Sequence, residues 1–385
     1  MRIVHFMKKE IVLCIAGILA ILSVFFVPID NKYIDYFDFR VLALLFCFMT
    51  VTEGFKRTGL LEKIAGILLS KVTTIRELYF VLVLLCFFSS MWITNDVALL
   101  TFVPFTILIL KMIRLENQLA SIVILETVAA NLGSMITPVG NPQNLYLYSI
   151  SSMNMIEFLK VMGPVTFVSF LMIVGLCFTK KSDKIQMQDM HNGKQKSKAQ
   201  KQKDYQNLME NICLVILFLI SFLTVFRVMS WRILLVIIIV VCGMLCVFCR
   251  EIFLPFRIDW CLLLTFVAFF IFIGNTSRIQ SVEHSLQAIL DGREVGISFL
   301  CSQVISNVPA TMLLSGFTQQ YERLLLGVNI GGLGTLIASM ASLISYKFFV
   351  TEAECCERVG TKKKYIFNFT IINYGMALIL LLLCN

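Results

Sequence analysis

The residues with chemical capability in this chain stand inside apolar stretches. Thr94-Asn95-Asp96 interrupts the run from 77 to 112, and Ser306-Asn307-Val308 interrupts the run from 295 to 317. Downstream of each lies a second interruption, ANLGSMITPVGNPQNLYLYS at 130–149 and VNIGGLGTLIASMASLISYK at 328–347. Laid together, these match Asn131 with Asn329, Gly133 with Gly331, Thr137 with Thr335, Leu145 with Leu343 and Tyr148 with Tyr346. Their chemistry is that of solute binding. A helix starting inside a membrane leaves unpaired N–H groups and about half a positive charge, which suits an anion, whereas a helix stopping there frees carbonyls that suit a small hard cation. Broken helices in corresponding positions of two halves are the sequence signature of a transporter's binding site.

Four helix starts are readable. Thr94 or Asn95 can cap one, and Ser306 or Asn307 another, with Pro309 in its first turn. Asn141 before Pro142 is an N-cap followed by an N1 proline, and Ser339 holds the equivalent place. The candidate substrate site is Thr94, Asn95, Asp96, Asn141, Pro142, Asn144, Ser306, Asn307, Thr311 and Ser339. The candidate cation-coupling set is Asn95, Asp96, Glu126, Asn131, Gly133, Thr137, Gly140, Asn307, Asn329, Gly331, Gly334 and Thr335. It would serve Na⁺ or H⁺, with Na⁺ at the hairpin tips and no transition metal or cofactor. Glycine and serine in membrane helices also serve close packing, a reading that weakens where the clusters match by position. A carboxylate at mid-bilayer costs about 2.5–3.5 kcal/mol, so Asp96 invites a role in taking a proton, ligating a cation or capping its helix. Glu126, more than a turn from the break, can carry protons or pair with a cation. Glu53 reads as interfacial, and His5, His191 and His284 are scattered in loops.

The elements that must position these groups are membrane helices. Hydrophobic residues make up 58% of the chain and charged residues 15%, more apolar than a soluble domain can expose. Spans are expected near 11–27, 40–55, 156–179, 211–228, 231–249, 258–274 and 365–384. An amphipathic stretch follows at 55–71, the interrupted segments lie at 77–112 and 295–317, and the broken helices at 119–150 and 324–345. The 13 cysteines fall almost all in apolar runs and read as reduced packing residues. Lys8-Lys9 before the run from Ile11 to Val27 resembles a signal peptide, but no small-residue cleavage site follows, so that run is taken as the first span. The lysine- and glutamine-rich segment Lys180 to Gln206 reads as disordered linker. The expected organisation is a first transmembrane repeat at 1–179, a basic cytoplasmic linker at 180–210 and a second repeat at 211–385.

Charge orients the halves. If both Thr/Ser-Asn segments are re-entrant hairpins, most of the 33 Lys and Arg collect on the side of the N-terminus and linker, the cytoplasmic side. The C-terminus then lies outside the cell (inner) membrane, and the first half crosses once fewer than the second. The fold class is therefore an all-α polytopic membrane protein of two inverted repeats, each with a re-entrant hairpin and an unwound helix.

The strings ITNDVALLTFVPF (93–105), GSMITPVGNPQNLYLYS (133–149) and SQVISNVPATMLLSGF (302–317) resemble the citrate-transporter-like permeases of the ion transporter superfamily, which includes divalent anion:sodium symporters, arsenite permeases and some Na⁺/H⁺ antiporters. The resemblance covers nearly the whole chain and is specific for the superfamily rather than for a substrate. It implies two inverted repeats, homodimerisation, and a Ser-Asn-Thr type tip motif that contacts carboxylate and Na⁺. That motif falls on Thr94, Asn95 and Asp96, and on Ser306, Asn307 and Val308. The third position departs from it: Asp96 adds a negative charge and Val308 removes a donor. The Asn-Asp pair is similar to the arsenite-permease branch, whose substrate can be an uncharged hydroxide.

The expected function is a secondary transporter of a small anion, carboxylate or inorganic oxyanion, coupled to H⁺ or Na⁺ by alternating access. Its partners are that solute and the bilayer, with no nucleic acid. Arsenite or antimonite efflux and Na⁺/H⁺ exchange are the alternatives. No Walker A sequence marks a primary pump. No continuous polar stripe marks a channel, and the second copy has Ser339-Met340 where an aquaporin-type pore would need Asn-Pro. An intramembrane enzyme would need an acid dyad, for which only Asp96 and Glu126 offer themselves.

Overall fold

Helices account for nearly all of the computed structural model, which describes residues 11–185, 198–249, 254–355 and 359–384. The first half contains α1 (Ile11–Phe26), α2 (Phe39–Thr58), α3 (Leu60–Leu69), α4 (Ile75–Ser90), α5 (Asn95–Met112), α6 (Leu119–Gly133), α7 (Pro142–Ile150) and α8 (Met155–Phe178). The second contains α9 (Lys198–Val225), α10 (Trp231–Cys249), α11 (Trp260–Thr276), α12 (Gln280–Leu290), α13 (Glu294–Ile305), α14 (Asn307–Ser315), α15 (Tyr321–Ile330), α16 (Met340–Cys355) and α17 (Lys362–Leu383). Among the described residues the sole β pairing is an isolated bridge between Thr74 and Lys184.

Local sequence explains the boundaries. Thr74 with Glu77 and Asn154 with Glu157 form capping boxes that start α4 and α8. Gly59, at φ 65°, turns α2 into α3 through the left-handed conformation. Among the described residues five segments are long and apolar enough to cross a membrane: 95–112, 116–136, 155–178, 208–225 and 362–384. Phe25, Phe26, Val247 and Leu382 are among the exposed large apolar side chains, which only a lipid environment accommodates in such number. The chain is a multi-pass membrane protein.

One expectation is corrected in part. The linker was read as disordered through Gln206, yet α9 begins at Lys198, because its Lys, Gln, Ala and Leu are good helix formers continuous with an apolar helix that supplies the nucleus. The start of that linker is also tied down, by Ile75 N–H to Asp183 O at 2.9 Å and Ile185 N–H to Thr73 O at 2.8 Å. Residues 186–197 of the linker lie outside the described residues, as do Lys8 and Lys9.

The helices sort into two groups. A scaffold packs α1 on α11 and α2 on α9 and α10, with Asn275 Nδ2 donating to Ser23 Oγ at 2.9 Å in its interior. An inner group packs the hairpin arm α4 on α6 and the corresponding arm α13 on α15. The other arms cross between halves, α5 lying on α16 and α14 on α7. Close approach is built in at Gly133, where a Cβ would collide with the Phe87 carbonyl oxygen, and at Gly331, where it would meet Ser302 Oγ at 2.6 Å.

Candidate functional site

Both interrupted segments fold as helical hairpins, and both broken helices are non-helical at their centres. Between α6 and α7 lie a 3₁₀ turn at Ser134–Ile136 and an irregular stretch to Asn141, and residues 331–339 separate α15 from α16.

The same bonds recur in each half. The hairpin-tip N–H of Asn95 donates to Gly140 O at 3.1 Å, and that of Asn307 to Ala338 O at 2.9 Å. The Asn95 amide oxygen accepts the Asp96 N–H at 3.0 Å, and that of Asn307 accepts the Val308 N–H at 2.9 Å. Thr137 Oγ1 donates to the Met91 carbonyl, and Thr335 Oγ1 to the Gln303 carbonyl. Each tip is thereby pinned to the break of its own half.

Across the halves the breaks bond to each other. Ser339 Oγ donates to Asn131 Oδ1 at 3.0 Å, and Asn141 Nδ2 donates to Asn329 Oδ1 at 3.1 Å. Asn131 Oδ1 also accepts Asn95 Nδ2 at 2.9 Å, and Asn329 Nδ2 donates to Asn144 Oδ1 at 2.7 Å. Ser134 Oγ joins the two sets, accepting from Asn141 Nδ2 at 3.2 Å and donating to Asn131 O at 2.9 Å. So Asn95, Asn131, Ser134, Asn141, Asn144, Asn329 and Ser339 form one buried network.

Beside this network lies a cavity of about 600 Å³ whose wall includes Thr94, Asp96, Asn141 and Pro142. Thr94 and Asn141 are the N-caps of α5 and α7, accepting from Val97 and Asn144 N–H, so two helix starts face one space. Met340, at the start of α16, adds a third. Its other charged wall groups are Glu53, Lys56, Arg257 and Asp259. Reasoning from sequence placed Glu53 at an interface and gave Lys56, Arg257 and Asp259 no part in the site, since only tertiary packing brings α2 and the start of α11 together.

The second tip is built differently. Ser306 takes φ 73° and makes no side-chain cap bond, while Asn307 and Thr311 are buried and Thr311 Oγ1 donates back to Asn307 O at 2.6 Å. None of the three lines the large cavity. Glu126 is also apart from it. It is fully buried on α6, where Thr106 Oγ1 donates to its Oε1 at 2.5 Å and its Oε2 has no hydrogen-bond partner among the described residues.

The residues of the candidate cation set have other partners too. Gly140 N–H donates to Thr137 Oγ1 at 3.1 Å, and Gly331 O accepts from Gln303 Nε2 at 3.0 Å. Gly334, at φ 118°, holds a left-handed backbone against the Gln303 amide. Among the described residues no group of three or more His, Cys, Asp or Glu is placed to hold a metal ion. Gln303 went unnoticed in the sequence, although a glutamine three residues before the Ser306-Asn307 break, in an apolar run, was the available signal.

Residues 3–321 match the family described as citrate transporter. Over 335 residues the chain is 31% identical to an uncharacterized transporter of Methanocaldococcus jannaschii, with 86% of each chain covered. It is 29% identical over 332 residues to the inner membrane protein YbiR of Escherichia coli, covering 84% of this chain and 83% of that one. A shorter match, 29% over 148 residues, spans 38% of this chain and 30% of the silicon efflux transporter of Oryza sativa subsp. japonica.

Proposed function

The chain belongs to the citrate transporter family, and from that premise we propose that it is a secondary transporter moving a small anion, a carboxylate or inorganic oxyanion, together with protons by alternating access. The two hairpins and broken helices act as inverted repeats around a scaffold, in a bacterial-type inner membrane and as a homodimer. The observation that carries the reading is the cavity lined both by Asp96, in the first turn of α5, and by Asn141, the N-cap of α7. Helix starts favour an anion. An ionised Asp96 repels it, whereas a protonated one donates a hydrogen bond. Binding of solute and proton are thus mutually dependent, which is the requirement for symport. One net charge crossing 100 mV provides about 2.3 kcal/mol.

The wall composition supports a second reading. Three carboxylates, Glu53, Asp96 and Asp259, face two cations, Lys56 and Arg257. That balance suits an uncharged hydroxide leaving the cell in exchange for protons, and the relative named as a silicon efflux transporter is in keeping with it.

A thermal-shift screen of purified protein separates them, using citrate, succinate, phosphate, silicic acid and arsenite at pH 5.5 and 7.5. Ligand at about 100 times Kd adds roughly 2.7 kcal/mol of stability. A shift by one anion, larger at the acidic pH, is expected. Silence of every anion beside a response to an uncharged hydroxide would replace the first reading by the second.

A further inference from the structure

Each break ends a helix and frees backbone carbonyls, the ligand type of a small hard cation. In both breaks a side-chain NH₂ already occupies the carbonyl set. Asn144 Nδ2 donates to Ser134 O at 3.2 Å, Met135 O at 3.2 Å and Thr137 O at 3.1 Å. Gln303 Nε2 donates to Gly331 O at 3.0 Å and Leu333 O at 2.9 Å in the break, and to Phe299 O at 3.3 Å on its own helix α13.

The orientation of both amides follows from what their oxygens accept. The Thr335 backbone N–H, which can only donate, reaches Gln303 Oε1 at 2.9 Å. Asn329 Nδ2 reaches Asn144 Oδ1 at 2.7 Å and also donates to Leu325 O at 2.8 Å. Hydrogens rather than lone pairs therefore point at the freed carbonyls in both halves.

The two carbonyl sets lie in corresponding breaks, with Met135 and Leu333 at matched positions, but the side chains filling them do not correspond. Met91 is the counterpart of Gln303, because Thr137 and Thr335 donate to their respective carbonyls. By the alignment of the two breaks, Ser342 is the counterpart of Asn144. The first half has methionine where the second has its glutamine, and the second has serine where the first has its asparagine. Packing alone would leave no reason for an NH₂ to arrive at both sets from different helices.

We infer that Asn144 and Gln303 are built-in occupants of two cation cradles, each amide standing in place of a coupling Na⁺, so that neither break binds that ion. The inference rests on the transporter reading for its consequence, which is that coupling falls to the proton. Its physical content is independent of any solute. An amide satisfies the carbonyls without bringing a full charge into the membrane, and it holds the break in shape without an ion. Replacing it by a carboxylate puts an oxygen among the carbonyl oxygens, a set that needs a cation at its centre.

The test reads Na⁺ binding by the purified, full-length protein through its thermal midpoint, with N-methylglucamine as the ionic-strength control at pH 8. The unmodified chain is expected to be indifferent to Na⁺. Asn144→Asp and Gln303→Glu are expected to gain a midpoint shift that rises with Na⁺ and saturates. Independently, Met91→Gln is expected to restore the midpoint lost in Asn144→Ser, since it delivers an NH₂ along the route the second half uses. A saturable Na⁺ shift in the unmodified chain that persists in Asp96→Asn would overturn the inference. So would folded carboxylate variants that ignore Na⁺, or a Met91→Gln/Asn144→Ser protein no more stable than Asn144→Ser alone. Failure of every anion to bind would refute the proposed function and leave these outcomes unaffected.

Discussion

Asn131 and Ser339 belong to opposite halves of the chain, and the Ser339 hydroxyl donates to the Asn131 amide oxygen at 3.0 Å. The same oxygen accepts the amide of Asn95, the residue at the first hairpin tip. One atom thus joins a tip, the break beneath it and the break of the other half. In the corresponding relation Asn329 Oδ1 accepts from Asn141, with no matching bond from the second tip among the described residues, while the Asn329 NH₂ donates to Asn144 and Leu325. The two halves therefore share a plan and differ in wiring, which suits a device whose two faces must release solute into different media.

Truncating Asn131 removes an acceptor from two buried donors and strands both. Asn131→Ala is expected to destabilise the protein by about 1–3 kcal/mol, read as a lowered midpoint of thermal unfolding in detergent. An alanine variant as stable as the parent would remove the network from the account of this fold.

Glycine substitutions should have opposite signs at two positions. Gly133→Ala forces a methyl toward the Phe87 carbonyl, a backbone atom that cannot step aside, and is expected to cost about 1–3 kcal/mol. Gly66 lies inside α3 with open space where its Cβ would go, so Gly66→Ala should stabilise by about 0.5–1 kcal/mol through helix propensity. Paired chemical-denaturation curves decide both.

Much of this architecture was legible in the residues because membrane helices announce themselves by composition and the breaks occur twice with matched Asn, Gly and Thr. The partners that complete the site were not. Asn144 and Gln303 act on backbone carbonyls, which every residue carries, so no side-chain pairing marks them in a sequence. Glu53, Lys56, Arg257 and Asp259 meet around one cavity only after α2 and α11 pack, and none belongs to a motif. Ser306 takes a positive φ without being glycine, held there by the hairpin rather than by its own preference. The polar start of α9 looked like linker because hydrophobicity, the signal used for spans, is silent about a helix that has left the membrane.

Asp30 and Arg278 close the surface between α1 and α11 with a two-point contact at 3.1 and 2.8 Å. The bond from Arg278 holds the Asp30 carboxyl below its usual range. A carboxyl with a lowered folded-state pKa contributes stability above its ordinary value near 3.9, and that stability is lost as pH falls through the lowered value. Asp30→Asn keeps the capping oxygen that accepts from Lys32 N–H and removes only the charge. Its denaturation midpoint should lie below the parent's at pH 7, and the gap should begin to close below about pH 4 and vanish once pH has fallen through the lowered folded-state value. A gap that persists in acid would mean the pair acts through shape rather than charge.

Asp96 and Glu126 are both membrane carboxyls, and their surroundings assign them different consequences. Asp96 lines the cavity, so under the proposed function neutralising it alters what the solute meets. In proteoliposomes Asp96→Asn is expected to keep solute counterflow, because asparagine still donates a hydrogen bond there, and to lose accumulation driven by a pH gradient. Glu126 lies away from the cavity and has the Thr106 hydroxyl as its partner. Its amide variant can retain that bond through the remaining oxygen and adds a donor where Oε2 now has no partner among the described residues. Glu126→Gln should therefore leave solute affinity within about twofold, within roughly 0.4 kcal/mol on the scale where tenfold is 1.4, and leave thermal stability equal or raised. If Glu126→Gln instead abolishes gradient-driven uptake while Asp96→Asn preserves it, the proton is carried on α6 and the cavity carboxylate serves solute selection alone.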